Sequence, residues 1–271
     1  MSHEHHHGGN GAERFARDHD PSVTDSAGNS WEGRAFHDNP FAGDDGTTPP
    51  AVAAALDAFH ANTGTLADVV AALHGTRLLI PLVAHAGDDF DVNAPIMEDK
   101  VQELAVVTVA GPDGEPIIPA FTSAEAMKAW NPEARPIPMD AQRVALAAAS
   151  EGVDRIVVNA TTPQQIVLRR PGVWALAQGY EWVPGWESTE LLEHLTKAIA
   201  KVTGAVRVTL APADPRATGS GAELRIVLFL VPGLDQAALT RVVTQLNEVL
   251  STSGTLQMAA DSVELTLAVA D

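Results

Sequence analysis

Gly111-Pro112-Asp113-Gly114 stands between two apolar runs, ELAVVTVAG (103–111) and EPIIPAF (115–121). Proline presets φ at one corner of a turn and glycine supplies a positive φ at another. Two β-type runs joined in this way read as a hairpin, which commits part of the chain to an antiparallel sheet. The second run ends in Phe121-Thr122-Ser123 and gives way at once to the helical pattern AEAMKAW. Strand, tight turn, strand and helix must therefore follow one another within about thirty residues.

The flanking chain supplies more of both element types. Spacing of three and four predicts helices over 51–62, with Val52, Ala55, Leu56 and Phe59 on one face, and over 66–75, stopped by Gly75. RLLIPLVAH (77–85) reads as a buried strand in which Pro81 demands an edge or a bulge. After the helix ending at Trp130 comes the extended RPIPM. Asp140 caps AQRVALAAASEG, RIVVNA (155–160) and QIVLRR (165–170) read as strands, and VWALAQG (173–179) as a short helix. YEWVPGWES (180–188) has the look of a linker. Beyond it lie a helix (189–203), strands at 205–211 and 223–231, a helix (235–250), and a terminal strand pair, TLQMA and SVELTLAVA. In the last, Val263, Leu265, Leu267 and Val269 alternate with Glu264, Thr266 and Ala268, as in a strand with one covered face. The expectation is an α+β chain. Two α/β sandwich domains with mixed or antiparallel sheets, at 51–180 and 188–271, are joined by a linker over 181–187 and preceded by a disordered acidic leader over 1–50.

The leader holds nine acidic and three basic residues and has no apolar periodicity. Such a composition buries too little to offset the entropy of ordering. Trp31, Phe36 and Phe41 are the exception. They are spaced by five in WEGRAFHDNPFAGDDG (31–46), a pattern neither helical nor strand-like, and read as an extended arm that docks its rings on the protein's own first domain or on a partner. The whole chain carries a net charge of −18 and no cysteine. The charge repels phosphates and anionic headgroups, so neither nucleic acid nor membrane is expected as a partner. Disulfides, thiolate catalysis and cysteine-ligated metals are excluded. No apolar run approaches the ~18 residues of a membrane span, and no secretory signal opens the chain, so a soluble cytoplasmic protein is expected.

The block MEDKVQELAVVTVAGPDGEPIIPAFTSAEAMKAWNPEARPIPMDAQRVALAAASEGVDRIVVN resembles the N-terminal domain of the SseB (enhanced serine sensitivity protein B) family. The likeness rests on motifs in order: the Gly111–Gly114 turn, Phe121-Thr122-Ser123, Trp130, and Arg135-Pro136-Ile137-Pro138. It extends over about 31–180, and the leader WEGRAFHDNPFAGDDG is similar to that of actinobacterial members. The C-terminal unit resembles the family's second domain in layout only. One departure is at the end of the strand over 155–160. The family pattern often reads Asp-Pro-x-Gly there, and this chain reads Asn159-Ala160-Thr161-Thr162. The resemblance implies a soluble protein with no established reaction or cofactor, linked by name to a serine-sensitivity phenotype.

Thr122-Ser123-Ala124-Glu125 fits a capping box, with Thr122 accepting from the amide of residue 125 and Glu125 reaching back. The rivals are a phosphate cradle and a serine nucleophile. Glu125 puts negative charge where an anion would sit, and no Gly-x-Ser-x-Gly is present. Asp89-Phe90-Asp91-Val92-Asn93 opens like a calcium loop but has Ala94 and Lys100 where glycine and glutamate are needed. His3, His5, His6 and His7 form an adventitious chelator. Tyr180, Trp182 and Trp186 either seal the linker onto the core or line a recognition groove between the domains, the sealing role being favoured. Gly219-Ser220-Gly221 carries no signal. No catalytic residue, cofactor or metal site is assigned. The expected function is a non-enzymatic interaction or regulatory protein with an unidentified protein partner. The alternative is a small-molecule binder or enzyme that uses an inter-domain cleft.

Overall fold

Pro50 opens the first helix, α1 (Pro50–His60), at a position where its missing amide has no intrahelical partner to lose. Val52, Leu56 and Phe59 form its buried stripe. Thr65 starts α2 (Leu66–Leu73) with a capping box: its hydroxyl accepts from the Asp68 amide while the Asp68 carboxylate accepts from the Thr65 amide. β1 (Arg77–Leu82) follows. The computed structural model describes residues 41–82, 108–111 and 114–270. The leader up to residue 40, the Asp89–Asn93 loop and the terminal histidines lie outside them. Phe41–Gly43 form a turn in which Phe41 is half-buried. The described residues from Asp44 onward form one compact unit.

The hairpin is present where it is described. β2 (Val109–Ala110) pairs antiparallel with β3 (Pro116–Ala120), and Gly114 takes φ +84° in the turn. After α3 (Ala124–Trp130), β4 (Arg135–Asp140) runs antiparallel to β1. Prolines decide that register. Pro136 and Pro138 lie opposite Pro81 and Leu79. The Leu79 amide turns away from β4 and donates to Phe121 O at 2.7 Å, so these pairs exchange no bond across the β1–β4 ladder. The outer edge of β4 then lacks two amides and cannot take another strand. Pro81 thus sits where the ladder needs nothing from it, although β1 is flanked on both sides.

α4 (Ala141–Ser150) is capped by Asp140, whose carboxylate accepts from the Arg143 amide. β5 (Ile156–Val158) lies parallel to β3 and antiparallel to β6 (Ile166–Leu168), giving the mixed order β2-β3-β5-β6. α5 (Arg170–Gln178) completes this half. The sheet's alternation distributes two layers. Ile118, Ala120, Ile156, Val158, Ile166 and Leu168 join the helical core of α1, α2, α4 and α5. Val157 and Val167 turn to the other face, toward Phe121 and Met127.

The second half begins with α6 (Thr189–Ile199), capped by Ser188. β7 (Ala205–Pro212), β8 (Leu224–Leu230) and β9 (Val263–Val269) form a sheet in that order, antiparallel and then parallel. α7 (Gln236–Ser251) and α8 (Gly254–Ala259) stand between β8 and β9. The expected terminal strand TLQMA is therefore a helix. The Ser253 hydroxyl accepts from the Leu256 amide, and Leu256 and Ala260 are buried at helical spacing, so the core takes one face of the segment. Leu224, Ile226, Leu228 and Leu230 meet Leu191, Leu195, Ile199, Val242 and Leu246 in a second core. The protein is α+β.

Candidate functional site

The corner after β3 is built from buried polar groups. Phe121 still belongs to a bridge with Leu79, so the backbone stays extended through Ser123, at φ −138° and ψ 156°. The helix cap is consequently Ser123, whose hydroxyl accepts from the Ala126 amide at 3.1 Å. This corrects the expected capping box by one residue. Thr122 is 2% exposed and faces inward. Its amide donates to Asn159 Oδ1 at 2.8 Å, and its hydroxyl accepts from Asn159 Nδ2 at 3.0 Å and lies 2.9 Å from the Thr48 hydroxyl. Glu125 is exposed in the first turn of α3 and does not reach back.

Arg77 closes the corner from below. Its buried guanidinium donates to Thr122 O, to Thr47 O at 2.6 Å, and to the Asp44 carboxylate through Nε and, at 2.8 Å, through Nη2. Arg77 holds the Asp44 carboxyl below the usual range, helped by the Gly46 amide. Gly46 O in turn accepts from the Ala124 amide at 2.8 Å. Residues 44–48 are thereby tied across the strand-to-helix junction. Trp130 packs against Phe121 with ring centroids 5.4 Å apart. Arg135 and Pro136 are exposed on β4 and Pro138 is half-buried. Turn, strand, Phe-Thr-Ser, helix, Trp and Arg-Pro-x-Pro thus form one continuous unit.

Residues 52–175 match the family model for the SseB protein N-terminal domain. No curated protein and no solved structure matches the chain. The SseB-matching segment contains the whole corner except residues 44–48, which are part of its support.

The matched segment meets the second half through a buried ionic seam. Arg169, at the end of β6, is 5% exposed. It donates to Asp261 Oδ2 and Ser262 Oγ, each at 3.2 Å, to Asp214 Oδ2 at 3.3 Å, and to Gly221 O at 3.0 Å. Arg170 donates to the carbonyls of Gln257 and Ala260. Asp214 also organises the loop over 213–221, accepting from the amides of Thr218 and Gly219. That loop closes the edge of β6, because the Val167 amide donates to Ala217 O at 2.7 Å. A Cβ on Gly219 would stand 2.9 Å from Val167. Of the glycines that carried no sequence signal, Gly219 is where the loop meets the sheet. Beside the seam, Glu223 is buried and accepts from the Asp261 amide at 2.6 Å. Burial pushes its carboxyl up to about 7; the Asp261 amide bond opposes this, the Asp261 charge adds to it, and Arg169 and Arg170 oppose it.

The linker aromatics divide. Trp182 is buried over Gly172 and stacks edge-on with Trp186 at 6.1 Å, while Tyr180 is 64% exposed. Trp186 packs against both cores and, with Phe59, Leu66, Pro184, Pro212 and Pro215, walls a cleft of about 150 Å³. Small-molecule sites usually occupy ~300 Å³ or more, so this cleft accommodates little beyond one apolar side chain. Among the described residues no group of three or more His, Asp or Glu side chains could hold a metal ion. Asn159, Arg77, Arg169 and Glu223 were not singled out as site residues by the sequence reading. Asn159 alone gave a signal, as the departure from the family pattern.

Proposed function

We propose that this chain is an SseB-like interaction or regulatory protein of the actinobacterial type, without an enzymatic reaction, that acts on a protein partner in the cytoplasm. The observation that carries this reading is where the corner's polar groups are spent. Thr122, Asn159 and Arg77 bond one another, Asp44 and nearby backbone, while the Ser123 hydroxyl is taken up by the Ala126 amide, an arrangement suited to holding a surface in shape. The net charge of −18 favours a protein partner over nucleic acid or an anionic membrane. No described helix is long and apolar enough to cross a membrane. Tyr180, exposed where the linker leaves α5, is a candidate contact, and Trp31 and Phe36 remain candidates in the leader.

The alternative, a ligand site between the halves, is favoured by one observation, the cleft beside Trp186, where Phe59, Leu66 and prolines are joined by Thr65, Glu187 and Asp214. Affinity capture of the full chain from its native cells at physiological salt, with mass spectrometry, separates the two. The expected result is a protein that is retained reproducibly and lost with Tyr180→Ala or with a Trp31→Ala/Phe36→Ala pair. Retention of a small molecule that Trp186→Ala abolishes, with no retained protein, would reject the interaction reading.

A further inference from the structure

The outer edge of β9 differs from every other described sheet edge. β4 is blocked by prolines, β6 is covered by Ala217, and β2 is two residues long. β7 has a register shift between Ala205 and Arg207 and ends in Pro212. These are the usual guards against edge-to-edge pairing. β9 is seven residues long, pairs with β8 without a break, and contains no proline and no lysine.

Its bonding is directional. The Ala270 amide donates to Leu230 O, so by alternation residues 264, 266 and 268 bond β8. Residues 263, 265, 267 and 269 turn both N–H and C=O outward. The same residues carry the apolar side chains: Val263 is 37%, Leu267 39% and Val269 65% exposed, and Leu265 is partly buried. The segment Val-Glu-Leu-Thr-Leu-Ala-Val also reads nearly the same in both directions about Thr266.

We propose that β9 pairs antiparallel with β9 of a second copy about a two-fold axis at Thr266, joining two three-stranded sheets into one. In this register Val263 faces Val269 and Leu265 faces Leu267 of the second copy. Every outward N–H and C=O of the strand then finds a partner. A two-fold contact of this kind is isologous and closes on itself. The charges agree with it. Glu264, the one charged residue of β9, is ion-paired with Arg225 of β8 and stands opposite Ala268 of the second copy. Moving the axis to Glu264 would set glutamate against glutamate. An axis at Leu265 or Leu267 would leave a valine without an apolar partner. The chain's repulsion also lies elsewhere: residues 188–271 hold nine acidic and six basic residues, only three of the net eighteen negative charges. Leu239 and Leu250 of α7, half-buried around the same core as Leu265, extend the apolar layer over the sheet. A strand seam is at the small end of specific interfaces, which bury on the order of 1,200 Å² or more, so the dimer is reversible. The inference is independent of any other partner the chain takes.

Sedimentation of the full chain over a wide concentration range tests it. The wild type is expected to pass from monomer to dimer as concentration rises. Leu267→Pro removes an outward amide that β8 does not use, and Val269→Lys places a charge at the most exposed apolar position; both are expected to stay monomeric with unchanged circular dichroism. The chain has no native cysteine, so Thr266→Cys, facing itself across the axis, is expected to oxidise to a covalent dimer, while Ala268→Cys is not. A wild type that is monomeric at every concentration, a dimer that survives both edge variants, or a cross-link at Ala268→Cys in preference to Thr266→Cys overturns the proposal.

Discussion

Asn159 departs from the expected family pattern, and it is also the residue that satisfies the buried Thr122 amide. Its backbone is at φ +54°, a conformation asparagine tolerates better than most residues. Asn159→Ala removes the acceptor and leaves a buried donor unpaired, a loss of ~1–3 kcal/mol to which backbone strain adds. Ser123→Ala removes only a helix cap and should cost about 1 kcal/mol. Urea unfolding of both variants should therefore rank Asn159→Ala as the more damaging. Equal costs would mean that the corner depends on its helix more than on its buried amide. Glu223 gives a pH signature. Its carboxyl titrates near 7 in the folded protein and near 4.5 when unfolded. Between those values the unfolded chain has lost the proton that the folded chain keeps, so the stability contributed by Glu223 falls as pH rises through this window and stays low above it. Glu223→Gln keeps an acceptor for the Asp261 amide and cannot ionise. Thermal melts should show it matching the wild type near pH 4.5 and exceeding it at pH 8, by up to on the order of 3 kcal/mol.

At the scale of elements, local chemistry was a good guide wherever the local choice did not compete with packing. The Pro-Asp-Gly turn, the Asp140 cap and the proline-limited strand edges follow from residues within a few positions of one another. TLQMA reads as a strand in sequence because a run of five residues has no reliable period to mark it as a helix. Its helix is decided by Ser253, by Leu256 in the core, and by a bond from Ser253 to His194 Nε2 at 3.0 Å, fifty-nine residues away. The cap at the opening corner was misplaced for a related reason. The bridge between Leu79 and Phe121 extends the strand, and no local rule on Thr122-Ser123-Ala124-Glu125 includes that bridge.

At the scale of the whole molecule, the ionic seam is the device that joins the halves. Arg169 is surrounded by Asp214 and Asp261, both nearly buried. Arg169→Ala leaves Asp214 without its cation and Asp261 with only the longer pair to Arg155 at 3.9 Å, and losing one partner of a buried ion pair costs about 3–5 kcal/mol. Denaturant unfolding followed separately through the Trp174 and Trp182 region and through the second core should split into two transitions in this variant. A single transition at the wild-type midpoint would show that the apolar contacts of Trp186 hold the halves together without the seam.

The α+β character and most of the element order were present in the sequence, because turns, caps and apolar periods act over a few residues. So was the alternation of β9, whose outward bonding and exposure became visible only once β8 was set beside it. Tertiary structure alone decided where the buried charges and amides find partners. Asn159 meets Thr122 across 37 positions, Arg77 meets Asp44 across 33, and Arg169 meets Asp261 across 92. A buried polar group has to be satisfied by whatever packing brings within about 3 Å of it, and that neighbour is not written in the adjacent sequence.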